Sequence, residues 1–171
     1  MSVGDIGLLL IRVVVGATML AHGVNHWRGG GKIAGTGRWF ASLGLRNGPL
    51  QAWLSVLTEI AAGVLLILGL LTPFACAAII SVMLVAGVLA HRGNGFFVMN
   101  EGYEYVLVLA AVALAVALLG PGEVSVDALA DIAITGWAGG AIALILAVVA
   151  TGGLLAVFWR PERHSEQART A

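Results

Sequence analysis

The chain has 171 residues, of which 60% are hydrophobic and 11% are charged, with nine basic and nine acidic side chains. A soluble domain of this size normally carries about 25% charged residues, so this composition excludes a water-soluble globular fold and indicates a protein solvated by lipid. The zero net charge argues against a nucleic-acid partner. The single cysteine, Cys76, excludes an intrachain disulfide and a CxxC redox pair.

Five apolar stretches are long enough to be membrane-spanning helices, which need about 20 residues to cross ~30 Å of hydrocarbon. In chain order they cover residues 6–24, 50–71, 73–90, 103–120 and 136–159. We interpret the first as a retained span rather than a cleaved signal peptide, because it is long, holds Arg12 and follows no basic leader. The predicted fold is therefore an all-α membrane protein. It consists of an antiparallel four-helix transmembrane core (residues 1–128), a fifth transmembrane helix with its connecting loop (129–159) and a short basic tail (160–171).

The basic residues outside the spans predict an orientation, because all of them fall on one side of a five-span arrangement. They are Arg28, Lys32, Arg38, Arg46, Arg92, Arg160, Arg163 and Arg169. The opposite side carries acidic residues only, namely Asp5, Glu123, Asp127 and Asp131. The positive-inside rule places the basic side in the cytoplasm. We therefore predict that the N-terminus is outside and the C-terminus is cytoplasmic.

Two segments of the chain are candidate contact surfaces. The glycine-rich connection between the first two spans has an amphipathic centre at residues 38–45, which predicts a short interfacial helix on the cytoplasmic face. A plain connecting loop is the alternative. At the start of the fifth span, Gly136 and Gly140 are four residues apart, a spacing that favours close helix contact. We expect this face, or the basic cytoplasmic loop, to pack against the bundle or against other protein subunits.

Two ionisable residues, Arg12 and Glu59, lie well inside predicted spans. A charge near the bilayer centre costs roughly 2.5–3.5 kcal/mol on insertion scales, so such residues are usually paired. At 1.5 Å of rise per residue their backbones differ in depth by roughly 8 Å, which an arginine side chain can bridge. We predict an Arg12–Glu59 interaction. It either only fixes helix packing, or it keeps ionised a glutamate that handles protons or faces a ligand. The remaining alternative is that the two side chains do not meet.

A second polar group is predicted at the inner ends of the spans. His22 and His26 lie four residues apart on one helix face, a spacing compatible with a weak metal site. Together with His91 and the carboxylates of Glu59, Glu101 and Glu104, they form a candidate site for a metal or for the head group of a quinone or a lipid-like ligand, which we expect near His22, Glu59 and Glu104. Each residue also has an ordinary structural explanation, such as a hydrogen bond to a backbone carbonyl. The spacing contains no strong metal motif such as HExxH.

The stretch between the third and fourth spans, RGNGFFVMNEGYEY, is acidic and aromatic. Asn100 is predicted to cap the fourth span, with Glu101 and Glu104 in its first turn near the positive end of the helix dipole. Phe96 and Phe97 are predicted to form the apolar wall of the site. The predicted ligand-binding set is Arg12, His22, Glu59, Phe96, Phe97, Tyr103 and Glu104, with Glu59 and Glu104 as the candidates for proton handling.

Four motifs occur in a fixed order over residues 6–128: LLIRVVVGATMLAHG, TEIAAGVLLILGLLT, GFF and GYEYVLVLAAVALAVALLGPGEVSVD. Together they resemble the DoxX family of small bacterial membrane proteins. The resemblance implies a four-helix core in the bacterial plasma membrane. It also implies a link to quinone-coupled redox chemistry, as in the small membrane subunit of thiosulfate:quinone oxidoreductase. Positions that match recurrent family residues are Arg12, His22, Gly23, Glu59, Gly95, Phe96, Phe97, Glu104, Gly120, Gly122, Ser125 and Asp127.

Three functions remain open from the sequence. The first is a DoxX-like membrane subunit of a quinone-linked redox complex, which contributes a quinone or lipid pocket and anchors its partners. Because the chain has no flavin, haem or cysteine-cluster motif, it would be an accessory subunit that receives electrons from a partner. The second is a purely structural membrane anchor without its own ligand. The third, a small transporter or channel, is disfavoured because no inverted repeat is visible.

Overall fold

The computed structural model describes residues 1–160, which form an all-α membrane protein as predicted; the basic tail with Arg163 and Arg169 lies outside the described residues. The helices are α1 (Val3–Arg28), α2 (Lys32–Ser42), α3 (Gly48–Leu68), α4 (Thr72–Ala86), α5 (Glu104–Leu119), α6 (Val126–Leu129) and α7 (Gly136–Phe158). A π-helical segment, Gly87–His91, continues α4, and the 3-10 turns Arg92–Asn94 and Val98–Asn100 follow it.

Within residues 1–160, four helices are long and apolar enough to cross a membrane: Val3–Arg28, Gly48–Leu68, Thr72–Asn94 and Gly136–Phe158. The fourth predicted span forms α5, whose bounds agree with the prediction to within one residue. With 16 residues, α5 is about 24 Å long at 1.5 Å per residue. That α5 also crosses the bilayer, and that the N-terminus lies outside, therefore stay predictions.

Sequence signals at the helix ends explain where the long helices begin and stop. Ser2 and Asp5 form a capping box in which each side chain bonds the other's backbone N–H at the start of α1. A proline lies in the first turn of α3 and of α4, where its missing N–H removes no helical hydrogen bond. α3 ends at Gly69, which adopts a left-handed conformation (φ +63°) that glycine tolerates best.

α1 and α3 pack antiparallel at very close range because two glycines face each other. A Cβ atom on Gly16 would lie 2.7 Å from the backbone oxygen of Gly63, and the reverse distance is the same. Further along, a Cβ on Gly23 would lie 2.8 Å from the Ile60 side chain. These contacts fix the relative depth of the two helices, with Gly16 beside Gly63 and Gly23 beside Ile60.

The fifth predicted span, α7, is part of the same core rather than an appendage to it. Ala143 and Ala147 of α7 are fully buried with residues of α1, α3, α4 and α5. Thr151 Oγ1 also lies 3.1 Å from Ser81 Oγ of α4. Gly140 packs against the Leu118 side chain of α5. Of the two alternatives for the Gly136–Gly140 face, packing against the bundle holds at Gly140, and contact of this face with another subunit stays a prediction.

The charged residues separate to the two ends of the bundle, as predicted. The basic end is defined by Arg28, Lys32, Arg38, Arg46, Arg92 and Arg160, and the acidic end by Asp5, Glu123, Asp127 and Asp131. A helix is confirmed in the connection between α1 and α3, but α2 begins at Lys32, earlier than the predicted residues 38–45. α2 lies at the basic end, where its residues Trp39 and Phe40 line a cavity of the bundle.

Candidate functional site

A cavity of about 390 Å³ lies in the half of the bundle nearer the basic end. Side chains of α1, α3, α4 and α5 surround it, and α2 and the end of α7 add further lining. Its walls are mainly apolar, with a few polar groups that include His22, His26 and Glu59. A volume of this size lies within the range of small-molecule sites, and apolar walls with a few polar groups are typical of them.

Glu59, on α3, is the most deeply buried ionisable residue of the cavity, with 3% of its side chain exposed. Its Oε1 accepts a hydrogen bond of 2.5 Å from Ser55 Oγ, one helical turn earlier. Its Oε2 makes no hydrogen bond within residues 1–160. Leaving a buried polar atom without a partner costs about 1–3 kcal/mol, and more for a charged group. Glu59 therefore has a free hydrogen-bonding position in a predominantly apolar cavity.

His26 lies beside Glu59, with its Nε2 3.7 Å from Glu59 Oε1. The imidazole ring stacks nearly parallel on Trp39 of α2 at 6.3 Å between centroids, and Phe40 lies at 6.2 Å. Thr36 of α2 also donates a 3.0 Å hydrogen bond to the backbone oxygen of His26. α2 thus holds His26 next to the buried carboxylate, and 22% of the histidine side chain remains exposed.

His22, one turn before His26 on α1, makes a different contact. Its Nε2 lies 3.3 Å from the hydroxyl oxygen of Tyr105 at the start of α5. Both residues line the cavity, yet both are exposed on the bundle surface. This pair therefore forms part of the cavity wall where α1 meets α5.

The end of α7 is hydrogen-bonded to the connection between α2 and α3, which lines the cavity. Trp159 Nε1 donates a 3.1 Å hydrogen bond to the Leu43 carbonyl, and Arg46 N–H donates to the Phe158 carbonyl at 2.9 Å. Leu43, Leu45 and Leu154 then line the cavity from this side. The helix predicted to lie beyond the four-helix core therefore also shapes the candidate site.

The predicted Arg12–Glu59 interaction is wrong. Arg12 is fully buried at the acidic end, where its Nη2 donates to the Val124 carbonyl and its guanidinium packs directly against Gly69. Glu59 lies instead at the level of Gly23, eleven residues further along α1, or about 16 Å at 1.5 Å per residue. The sequence estimate was too short because the Gly16–Gly63 contact, and not the number of residues from each helix end, sets the depth of α3 against α1. In addition, helix side chains lean toward the N-terminus, which takes the arginine away from Glu59.

Arg12 instead belongs to a cluster around Asp127, which lies within electrostatic reach of the guanidinium. The Asp127 carboxylate accepts hydrogen bonds from Leu71 N–H at 2.7 Å, Thr72 N–H at 2.9 Å and Thr72 Oγ1 at 2.7 Å. These bonds satisfy backbone donors at the start of α4, which no intrahelical carbonyl can reach. The cluster ties α1, α4 and the segment before α7 together at the acidic end.

The aromatic stretch between α4 and α5 lies beside the cavity rather than in it. Phe96 packs edge-on against Phe97 and Tyr103 at 5.4 and 5.5 Å between centroids, and none of the three lines the cavity. Glu104 accepts a 2.9 Å hydrogen bond from Val98 N–H and does not line the cavity either. Of the predicted ligand-binding set, the structure thus brings His22 and Glu59 together in the cavity, and it places Arg12, Phe96, Phe97, Tyr103 and Glu104 elsewhere.

The predicted cap of the fourth span is also wrong. α5 begins at Glu104, with Tyr103 at the capping position, whereas Asn100 ends the preceding 3-10 turn. Glu101 adopts a left-handed conformation (φ +59°) and lies before the helix. Glu104 alone therefore lies in the first turn as expected. The carbonyl of Glu101 meets His91 Nδ1 at 2.6 Å, which links this loop to the end of the π-helical segment.

Residues 1–160 contain no group of three His, Cys, Asp or Glu side chains arranged to hold a metal ion. His22 and His26 share a helix face, but the first contacts Tyr105 and the second contacts Trp39 and Glu59. The pair therefore has no third ligand of these types in the described part of the chain.

The sequence interpretation missed five polar residues of the cavity: Gln51, Ser55, Thr58, Ser81 and Tyr105. Ser55 was detectable in principle, because it precedes Glu59 by four residues and therefore lies on the same face of α3. Tyr105 was not, since residues two positions apart at a helix start face different directions and the sequence does not reveal which of Tyr103 and Tyr105 faces inward.

A known protein family is similar to this chain over the part that contains the cavity residues of α1 and α3. The DoxX family model matches residues 7–92, which include His22, His26 and Glu59. A relative from Bacillus subtilis (strain 168), named "Putative oxidoreductase CatD", is 29% identical over 111 residues, or 65% of this chain and 78% of the relative. No solved structure matches the chain.

Proposed function

Because this chain belongs to the DoxX family, we propose that it is a membrane subunit of a quinone-linked redox complex in the bacterial plasma membrane. In this proposal the cavity near the basic end binds the quinone head group, and the chain acts as an accessory subunit. The observation that carries the proposal is the buried, unpartnered Oε2 of Glu59 in an apolar cavity of about 390 Å³. The name of the Bacillus subtilis relative supports a redox role.

The residues of the cavity fit a quinone head group. Such a group is a flat, mainly apolar ring with two carbonyl oxygens that accept hydrogen bonds. Apolar walls suit the ring, and Tyr105 and His22 offer polar atoms on one side of the cavity. A carboxyl group, when protonated, donates one hydrogen bond and can release that proton to an acceptor. Glu59 can therefore serve as both hydrogen-bond partner and proton donor for a carbonyl oxygen.

His26 supplies a route for protons between Glu59 and the basic end of the bundle. A quinone bound here takes up two electrons and two protons when it is reduced to the quinol. His26 is partly exposed and its Nε2 is 3.7 Å from Glu59 Oε1, so a small movement or one water molecule connects them. A histidine can gain or lose a proton near neutral pH, which suits this role. The electrons come from a partner subunit that carries its own redox cofactor.

The alternative function is a structural anchor for partner proteins. It is favoured by one observation, an exposed apolar segment at the basic end. Phe97, Val98 and Met99 are 63%, 53% and 92% exposed, respectively. A partner that covers this segment would be held at the membrane without any ligand in the cavity.

Gentle purification from the native membrane, followed by mass spectrometry of bound small molecules and co-purifying chains, tests both functions. We expect wild-type protein to carry quinone and Glu59→Gln to lose it. Glu101→Gln is the matched control, because Glu101 is an exposed acid outside the cavity, and it should retain quinone. A Glu104→Gln variant compares the other predicted proton-handling residue with Glu59 in the same measurement of bound quinone. A stoichiometric partner without quinone would support the anchor, and finding neither would contradict both functions.

The proposed orientation places the basic end in the cytoplasm. A reporter that is active only in the cytoplasm should then be active when it is fused to the C-terminus. A reporter that is active only outside the membrane should be inactive there, as expected for an odd number of spans. Detection of the C-terminal reporter outside would contradict the five-span arrangement with a cytoplasmic basic end.

A further inference from the structure

A second apolar recess lies on the outer surface of the bundle, between α5 and the end of α4 with its π-helical extension. Its volume is about 240 Å³, and we call it the α4–α5 groove. The walls are the apolar residues Met83, Leu84, Val88, Val106, Leu107 and Ala110. Arg92 and Tyr103 also line it, so the groove has a polar end next to the basic end of the bundle.

The α4–α5 groove is next to the candidate quinone cavity but faces outward. Met83 and Val106 line both spaces and are more than nine-tenths buried, so they form the wall between them. Leu107, on the outer side, is 50% exposed. On a membrane helix an exposed leucine contacts lipid, so the groove is open to the bilayer.

Gly87 helps to keep the groove open. A Cβ atom at this position would meet only the Val106 side chain, at 3.5 Å, which is an ordinary contact distance. Packing of α4 against α5 therefore does not require a glycine here. The missing side chain instead leaves part of the groove volume unfilled. The π-helical turn that starts at Gly87 also changes the helix path at this point, and such turns occur frequently at functional sites.

Arg92 supplies a positive charge at the polar end of the groove. Its guanidinium lies 5.6 Å from the centre of the Trp159 ring and makes no ion pair with an acid in residues 1–160. The Tyr103 hydroxyl likewise has no hydrogen-bond partner in this part of the chain. A free guanidinium and a free hydroxyl at the end of an apolar groove are complementary to a phosphate joined to a hydrocarbon chain.

We propose that the α4–α5 groove binds one anionic phospholipid, with an acyl chain along the groove and the headgroup phosphate at Arg92. Basic positions between transmembrane helices on the cytoplasmic side are suited to such lipids because charge and apolar surface are recognised together. The binding site is separate from the proposed quinone cavity, so either site can be present without the other.

Native mass spectrometry on protein exchanged into phosphatidylglycerol or phosphatidylcholine with identical acyl chains tests this site. Wild-type protein should retain one phosphatidylglycerol in preference to phosphatidylcholine. Arg92→Gln should reduce that preference by about fivefold, the effect expected for one basic residue near anionic lipid. Arg92→Lys should keep most of it. Gly87→Leu should reduce retention of both lipids, because the new side chain fills the groove.

Arg28→Gln is the matched control, because Arg28 also lies over a tryptophan ring at the basic end, at 4.3 Å, but does not line the groove. It should leave the lipid preference unchanged. An equal loss in Arg28→Gln and Arg92→Gln would reveal general charge attraction and overturn the proposal. So would equal retention of both lipids by the wild type, or displacement of the lipid by inorganic phosphate alone. Circular dichroism identifies any variant that fails to fold, and Gly87→Leu then carries the test, because unchanged retention of both lipids in that variant would overturn the proposal.

Discussion

The two ends of the bundle each bury a charged residue within a transmembrane helix, but the surroundings differ. At the acidic end, Arg12 packs against Gly69 and donates to the Val124 carbonyl, and Asp127 lies nearby with three hydrogen bonds of its own. At the basic end, Glu59 lines a cavity and keeps one oxygen without a partner. Both sites hold unpartnered polar atoms, since Arg12 Nε and Nη1 are also unpaired within residues 1–160.

The difference shows that burial of a charge does not by itself identify a ligand site. The Arg12 guanidinium is surrounded by backbone and by an opposite charge, so its position links helices. Glu59 is next to open space, a histidine and aromatic side chains, so it has room for a ligand. Membrane-buried charges are functional candidates by default, and the surrounding volume decides between the two roles here.

The largest expected effect is the loss of the Asp127 carboxylate. Asp127→Ala removes three hydrogen bonds at the start of α4 and leaves Arg12 without its nearby opposite charge. Removing one member of a buried charged pair typically costs about 3–5 kcal/mol. We expect a decrease of that size in the free energy of unfolding, measured by denaturation in detergent or lipid.

Asp131→Ala is the control for this prediction, because Asp131 is exposed and also lies at the acidic end. It should change the free energy of unfolding by less than about 0.5 kcal/mol, as most surface substitutions do. Equal effects of the two variants would show that the Asp127 hydrogen bonds are not what fastens the acidic end.

Glu59→Gln should have the opposite consequence for stability. The amide keeps the Ser55 hydrogen bond and removes a carboxyl group whose charged form is costly to bury. In protein freed of ligand, the free energy of unfolding should be unchanged or higher by up to about 1 kcal/mol. Ligand binding should be lost in the same variant. A decrease of about 2 kcal/mol or more would assign Glu59 a structural role like that of Asp127, and would contradict the comparison.

The sequence was sufficient to predict the helices and the separation of basic and acidic residues to opposite ends of the bundle, because both depend on local composition. It also placed His22 and Glu59 in one region correctly, because both lie a few turns from the basic end. The predicted Arg12–Glu59 interaction was wrong, since the depth of α1 against α3 depends on the Gly16–Gly63 contact and not on residue counts. The sequence interpretation also missed Tyr105, whose place in the cavity depends on helix rotation, and the Trp159–Leu43 hydrogen bond, which joins residues far apart in the chain.

Trp159→Phe is expected to have an intermediate effect at the basic end. It removes the hydrogen bond to the Leu43 carbonyl but keeps an aromatic ring, so the loss should be near 1 kcal/mol, the usual net value of one hydrogen bond. Because this bond holds the α2–α3 connection over the cavity, ligand should also dissociate faster. Trp137→Phe, at an 88% exposed position near the acidic end, is the control and should change neither quantity. Unchanged ligand dissociation in Trp159→Phe would show that α7 does not close the cavity.

The smallest expected effect on stability is that of Tyr105→Phe. The Tyr105–His22 contact is 3.3 Å long and joins two exposed side chains, so its loss should lower the free energy of unfolding by less than about 0.5 kcal/mol. Its effect on quinone affinity should be larger, because the hydroxyl is one of the few polar groups in a mainly apolar cavity. Tyr103→Phe is the control, since Tyr103 lies outside the cavity, and it should bind quinone as the wild type does. Binding titrations of both variants in lipid nanodiscs measure this difference. Equal affinities would show that the α1–α5 side of the cavity does not contact the head group, and Glu59 would then be left as the main polar contact at the basic end.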